Sequence, residues 1–209
     1  MVSLTNVGIG RNPLALKHIS EKSGVNIVMG TGWYVREYYP SYVRKKLPDE
    51  LAESWFGRVR RASMRLASAW ESSVKWAQGG DSSGQRRSGC CGPWLVPNGE
   101  PGWRLHAHDP LRRAALEQLS LFDEEGVYPD RIIIGLLGDR RGADMLLPVA
   151  RTGAWLEIDN IGWLSYTSDE QRGRNISELA EAGYLHRILL GTDIALNSQL
   201  SHYGGKGYG

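Results

Sequence analysis

The sequence predicts an α/β protein with a parallel sheet, and three observations carry that prediction. From residue 131 to 193 the chain alternates apolar runs with amphipathic segments: "RIIIGLLGD", "GADMLLPVARTG", "AWLEIDNIG", "SDEQRGRNISELAEAG" and "HRILLGTD" read strand, helix, strand, helix, strand. The loops between them are short, and right-handed strand–helix–strand units with short loops build parallel sheets. The run "RIIIG" is β-branched and continuous, as suits a strand covered on both faces. The 209 residues are the size of a single domain, residues 1–209.

Each element has its own local justification. "NPLALKHISEKSG" sets Leu14, Leu16, Ile19 and Ser20 at helical spacing and stops at Gly24, and "VNIVMGTG" follows as a short apolar strand. "LPDELAES" has the start of a helix, with Pro48 near its first position and acids in the first turn. "DPLRRAALEQLSLFDEEG" is an amphipathic helix with Asp109 as cap, Pro110 at the first position and Gly126 at the end. Pro148 must occupy the first turn of its helix or kink it, because it lacks an N–H. Gly183 closes the helix that begins at "SDEQ".

Residues 54–104 break the pattern. They hold five of the eight tryptophans, both cysteines and an excess of Ser, Arg and Gly, with no apolar run of four or more residues. Two readings of this stretch stand, a divergent insertion and an out-of-frame translation. Its aromatic content argues against ordinary disorder. The periodicity predicts neither a strand nor a long helix there.

Bulk properties exclude several function classes. A net charge of +2 gives no electrostatic footprint for nucleic acid or an anionic membrane. No apolar run reaches the roughly 18–20 residues of a membrane-spanning helix, and "MVSLTNVGIGRNP" lacks the pattern of a signal peptide. The adjacent Cys90 and Cys91 form neither a disulfide framework nor a zinc-type spacing, so a reducing, cytoplasmic setting is expected.

In a parallel α/β protein the chemistry sits at the carboxyl ends of the strands. Those ends present His106 and His108 in "LHAHDP", Asp139 and Arg140 after "IIIGLLG", Asp159 in "LEIDN", and Asp193 directly after "RILLGT". On a strand His106 and His108 share a face, and with Asp193 they form an imidazole and carboxylate set that a divalent metal accepts. The alternative for each is a loop or turn role. "GGKGYG" at 204–209 is not followed by the helix and Ser or Thr that a phosphate loop requires, and "GIG" at 8–10 lacks the third glycine of a dinucleotide fingerprint. His18, His186 and His202 are lone histidines with no partner motif.

"TNVGIGRNPLALKHISEKSGVNIVMGTGWYVREYYP", "LEQLSLFDEEGVYPDRIIIGLLGDRRGADMLLPVARTGAWLEIDNIGWLSYTSDEQR" and "GYLHRILLGTDIALNSQLSHYGGKGYG" resemble the phosphotriesterase family, metal-dependent hydrolases of the amidohydrolase superfamily. The resemblance implies a (β/α)8 TIM barrel, here incomplete because the chain aligns from the second strand onward. It also implies a two-metal centre, usually zinc, at the carboxyl face. The family's fifth-strand histidine falls on His106 or His108, with His106 the strand-end residue. Its eighth-strand aspartate falls on Asp193, a metal ligand that also takes a proton from the bridging hydroxide. The sixth strand carries Leu136 where the family has a histidine. The fourth-strand lysine or glutamate falls in the anomalous stretch; Lys75 is nearby, but "SSVKWAQ" does not read as a barrel strand.

The activity implied is hydrolysis of a small-molecule ester, lactone or organophosphate by metal-bound hydroxide, with Asp193 as general base. The missing ligands imply impaired metal binding, and Leu136 favours an alternative, a non-catalytic partial barrel serving as a binding or scaffold protein. A third reading, an Arg- and Trp-rich single-strand binder, conflicts with the charge. Open sheet edges predict poor solubility or homo-oligomer formation through those edges. Asp159, Asn160 and Trp163 fall in a loop that, in the family, helps to set the substrate.

Overall fold

A computed structural model describes residues 1–33, 38–46, 72–77, 104–108, 115–124, 127–139 and 142–207. The chain divides into two compact units, Met1–Ala107 with Leu121–Tyr128, and His108–Ser120 with Pro129–Gly209.

In the first unit, β1 (Val2–Ser3) is followed by α1 (Pro13–Ser23) and β2 (Val28–Trp33). Asn12 caps α1, its side-chain oxygen accepting from the Ala15 N–H at 3.0 Å, and Pro13 fills the first turn where no N–H is needed. Gly24, at φ 70°, ends the helix by donating to the Ser20 carbonyl. The chain returns as β2 parallel to β1, Val2 opposite Val28. None of the residues of α1 is buried, so the apolar spacing of Leu14 and Ile19 leaves them 75% and 50% exposed.

β3 (Ser72–Ala77) pairs parallel with β2 from Met29↔Ser72 to Trp33↔Trp76. This corrects the expectation that residues 54–104 contain no strand, and it puts Lys75 within one. The segment alternates Val74 and Trp76 with Ser73 and Lys75, and period-2 alternation forms a strand without a continuous apolar run. β4 (Arg104–His108) follows. The predicted helix start at "LPDELAES", the Asp109 cap with Pro110, and Gly126 lie outside the described residues. Of that last helix, the described part is α2 (Ala115–Glu124).

In the second unit, β5 (Ile132–Gly135), α3 (Leu147–Arg151), β6 (Trp155–Ile158), α4 (Asp169–Glu181) and β7 (Ile188–Leu190) follow in the predicted order. Strand pairing is parallel throughout, Ile134 opposite Leu156 and Leu156 opposite Ile188. All four residues of β5 are buried, as its continuous apolar run requires. Pro148 sits in the first turn of α3 and Ser168 caps α4 through the Gln171 N–H. The core gathers Ile132, Ile134, Leu146, Leu156, Ile158 and Leu179. Each such side chain contributes roughly 1.5–3 kcal/mol on burial. Along β6 the buried Leu156 and Ile158 alternate with Trp155 and Glu157, so Glu157 and Asp159 continue the other face. No helix among the described residues is long and apolar enough to cross a membrane.

Candidate functional site at the strand carboxyl ends

His106 and His108 both lie within β4 and are 2% and 6% exposed, so neither is a loop residue. The His108 carbonyl accepts from the Gln118 side-chain amide at 2.7 Å, which ties α2 to the end of the strand. His106 belongs to the first unit; His108 and Asp193 belong to the second.

At the ends of β5, β6 and β7 stand the only described non-glycine residues with positive φ: Leu136 (61°), Asn160 (57°) and Asp193 (49°). For asparagine and aspartate this left-handed conformation is tolerable, whereas for leucine it costs on the order of 1 kcal/mol. Asp159 holds Leu136 there. One carboxylate oxygen accepts from the Leu136 N–H at 2.8 Å, the other from the Gly138 N–H at 3.3 Å. Gly138 packs so closely that a Cβ would fall 2.0 Å from the Asp159 carbonyl, which leaves room for glycine alone.

Burial drives the Asp159 carboxyl up to about 7, Glu157 and Asp193 add like charge, and the two N–H bonds only partly offset the rise. A Cβ on Gly191 would lie 3.2 Å from Glu157 Oε1 and 3.3 Å from the Asp159 Cβ, so the start of the loop after β7 runs against these carboxylates. Asp193 itself is exposed. The arrangement concentrates negative potential at the ends of β6 and β7 and keeps one carboxyl poised to exchange a proton near neutral pH.

A second polar cluster surrounds Arg172, whose side chain is 2% exposed. Its guanidinium donates to Asp139 at 3.2 Å, to Asp169 at 2.6 Å, and to the carbonyls of Trp163 at 3.2 Å and Thr167 at 3.1 Å. Asp139 also accepts from the Asn160 amide at 3.0 Å. Asp169 accepts from the Gly162 N–H, and that bond, with Arg172 beside it, holds its carboxyl below the usual range. The Trp163 indole N–H donates to the Thr192 carbonyl at 2.9 Å, and the Ile161 N–H to the Gly191 carbonyl at 3.3 Å. Sequence reasoning singled out Asp139, Asp159 and Asn160 but missed Arg172. Its signal was helical spacing, because Arg172 and Asn175 share the stripe of Leu179 and these three are the buried residues of α4.

Imidazole and carboxylate are zinc donors by chemistry. Among the described residues, however, no three His, Cys, Asp or Glu side chains gather to hold a metal ion, and Leu136 brings no donor to the end of β5. The described residues therefore do not fit a two-metal centre.

A parallel strand–helix succession with its polar residues massed at the strand carboxyl ends defines a parallel α/β chain. The model of the phosphotriesterase family matches residues 1–61 and 99–209, and the chain belongs to that family. It is 26% identical to the phosphotriesterase homology protein of Escherichia coli (strain K12) over 210 residues, covering 100% of this chain and 71% of that one. The crystal structure of the same E. coli protein, complexed with phosphate in its active site, matches with a TM-score of 0.85 over 99% of this chain and 71% of that chain, at 25% identity. The N-acetyltaurine hydrolase of Dictyostelium discoideum is 28% identical over 100% of this chain and 59% of its own length. The aryldialkylphosphatase of Saccharolobus solfataricus is 25% identical over 92% of this chain and 62% of its own. The chain thus spans about three fifths of the length of the last two relatives. The fold is that of an incomplete (β/α)8 barrel.

Proposed function

We propose that the chain is a metal-dependent hydrolase of small-molecule esters, lactones or organophosphates, acting in the cytoplasm, with metal binding weaker than a complete two-metal centre gives. Zinc is the metal that this reading assigns, with His106, His108 and Asp193 as candidate donors taken one by one, and Asp193 is the working carboxylate. The observation that carries the reading is the placement of Asp193 in a left-handed turn directly beyond β7, beside the buried Asp159 carboxyl. The relatives give it support in kind, since one is named an aryldialkylphosphatase and another an N-acetyltaurine hydrolase.

Elemental analysis of the purified protein, paired with turnover of paraoxon, an aryl ester, a δ-lactone and N-acetyltaurine, tests it. The expected result is bound zinc below two equivalents, with hydrolysis that a chelator and Asp193→Asn both abolish. Zinc-free protein that stays inert after zinc is added sinks the enzyme reading and leaves the non-catalytic binding or scaffold protein, which Leu136 favours by removing a ligand from an intact strand end.

A further inference from the structure

Arg172 spends its buried charge in an unusual way. Asp139 and Asp169 suffice to neutralise it, yet its two terminal nitrogens also reach the Trp163 and Thr167 carbonyls. Those carbonyls bound the segment 163–167, so one side chain grips both of its ends. The Gly162 N–H is held by Asp169, which Arg172 holds in turn. The gripped segment begins with Trp163, and the Trp163 indole donates to the Thr192 carbonyl, one residue before Asp193. Asp193 sits at φ 49°, a left-handed conformation that aspartate tolerates, and the indole bond to the Thr192 carbonyl holds the backbone immediately before it. A planar fork serving two acceptors on each terminal nitrogen is a geometry that arginine provides and lysine does not.

We propose that Arg172 is a positioning residue for Asp193, acting through Trp163 and the Thr192 carbonyl. The proposal rests on the reading of Asp193 as the working carboxylate. Arg172 sets the loop, the loop sets the indole, and the indole fixes the backbone from which the Asp193 side chain projects. Asn160 is oriented from the same centre through Asp139.

The test uses Arg172→Lys, which keeps the buried charge but loses the fork, and Trp163→Phe, which keeps the ring but loses the N–H donor. Hydrogen exchange of the Trp163 indole and the amide shift of Asp193 are read by NMR on the intact protein. In Arg172→Lys the indole proton exchanges at least tenfold faster than in wild type, and the Asp193 amide moves in both variants. In active protein, kcat falls at least tenfold in Trp163→Phe while KM stays within about twofold. An indole as protected as in wild type, or an Asp193 amide unmoved in both variants, overturns the proposal whether or not the wild type hydrolyses any substrate. Should Arg172→Lys fail to fold, the Asp193 shift in Trp163→Phe decides alone. Absence of hydrolysis by the wild type, with both NMR signatures as expected, counts against the enzyme reading and leaves the positioning intact.

Discussion

Replacing Asp159 with asparagine removes a carboxyl that folding has pushed from 3.8 to about 7, chiefly by burial and then by the Glu157 charge. A carboxyl raised in the folded state holds its proton more tightly there than in the unfolded chain. Its contribution to stability is therefore greatest below pH 3.8 and is lost as pH rises toward 7, the reverse of an ion-paired aspartate. A rise of that size corresponds to roughly 4 kcal/mol, and at 3% exposure little solvent screening reduces it. Urea unfolding of wild type and Asp159→Asn, in chelator, at intervals from about pH 4 to 8, measures the difference between the two. Carboxylates remote from Asp159 titrate alike in both proteins and cancel, whereas Glu157 and Asp193, which feel its charge, leave a smaller residual. The wild type is expected to lose roughly 4 kcal/mol relative to the variant across that range, with no further change above it. A difference flat to within about 1 kcal/mol would refute the reasoning. A difference of opposite sign would show that the Leu136 and Gly138 N–H bonds outweigh burial.

Three further outcomes follow from packing. Arg172→Met strands Asp139 in the core with Asn160 as its remaining side-chain partner among the described residues, and calorimetry should show a loss of about 3–5 kcal/mol. Adding Asp139→Leu should restore part of it, and a double variant less stable than either single one would contradict the pairing. Gly138→Ala places a methyl where the Asp159 carbonyl lies, so urea titration should show a loss of about 3 kcal/mol, at the upper end of the usual cost of overpacking. Asn12→Ala removes the cap of α1 and should cost about 1 kcal/mol by denaturant titration followed by circular dichroism.

The second unit was legible in sequence because its strands announce themselves twice, by continuous apolar runs and by helices with capping signals at Ser168 and Gly183. β3 was not, because a strand that alternates Val and Trp with Ser and Lys looks like loop composition when an apolar run is the criterion. The strand-end polar residues were legible as positions, but their partnerships were not. Arg172 meets Asp139 across 33 residues, and no local pattern encodes that contact. The burial of His108 alongside His106 was missed for a related reason: the helix cap read at Asp109 and Pro110 begins immediately after a residue that the strand still holds.

The left-handed turn at Leu136 is imposed from outside, by the Asp159 carboxylate and the Gly138 backbone contact, and leucine has no preference for it. The position behaves as a socket indifferent to its plug. An unbranched side chain installed at residue 136 is delivered from the same backbone seat, so Asp159 and Gly138 set the seat while residue 136 sets the chemistry placed on it. A donor residue introduced there arrives on a scaffold already shaped to present it.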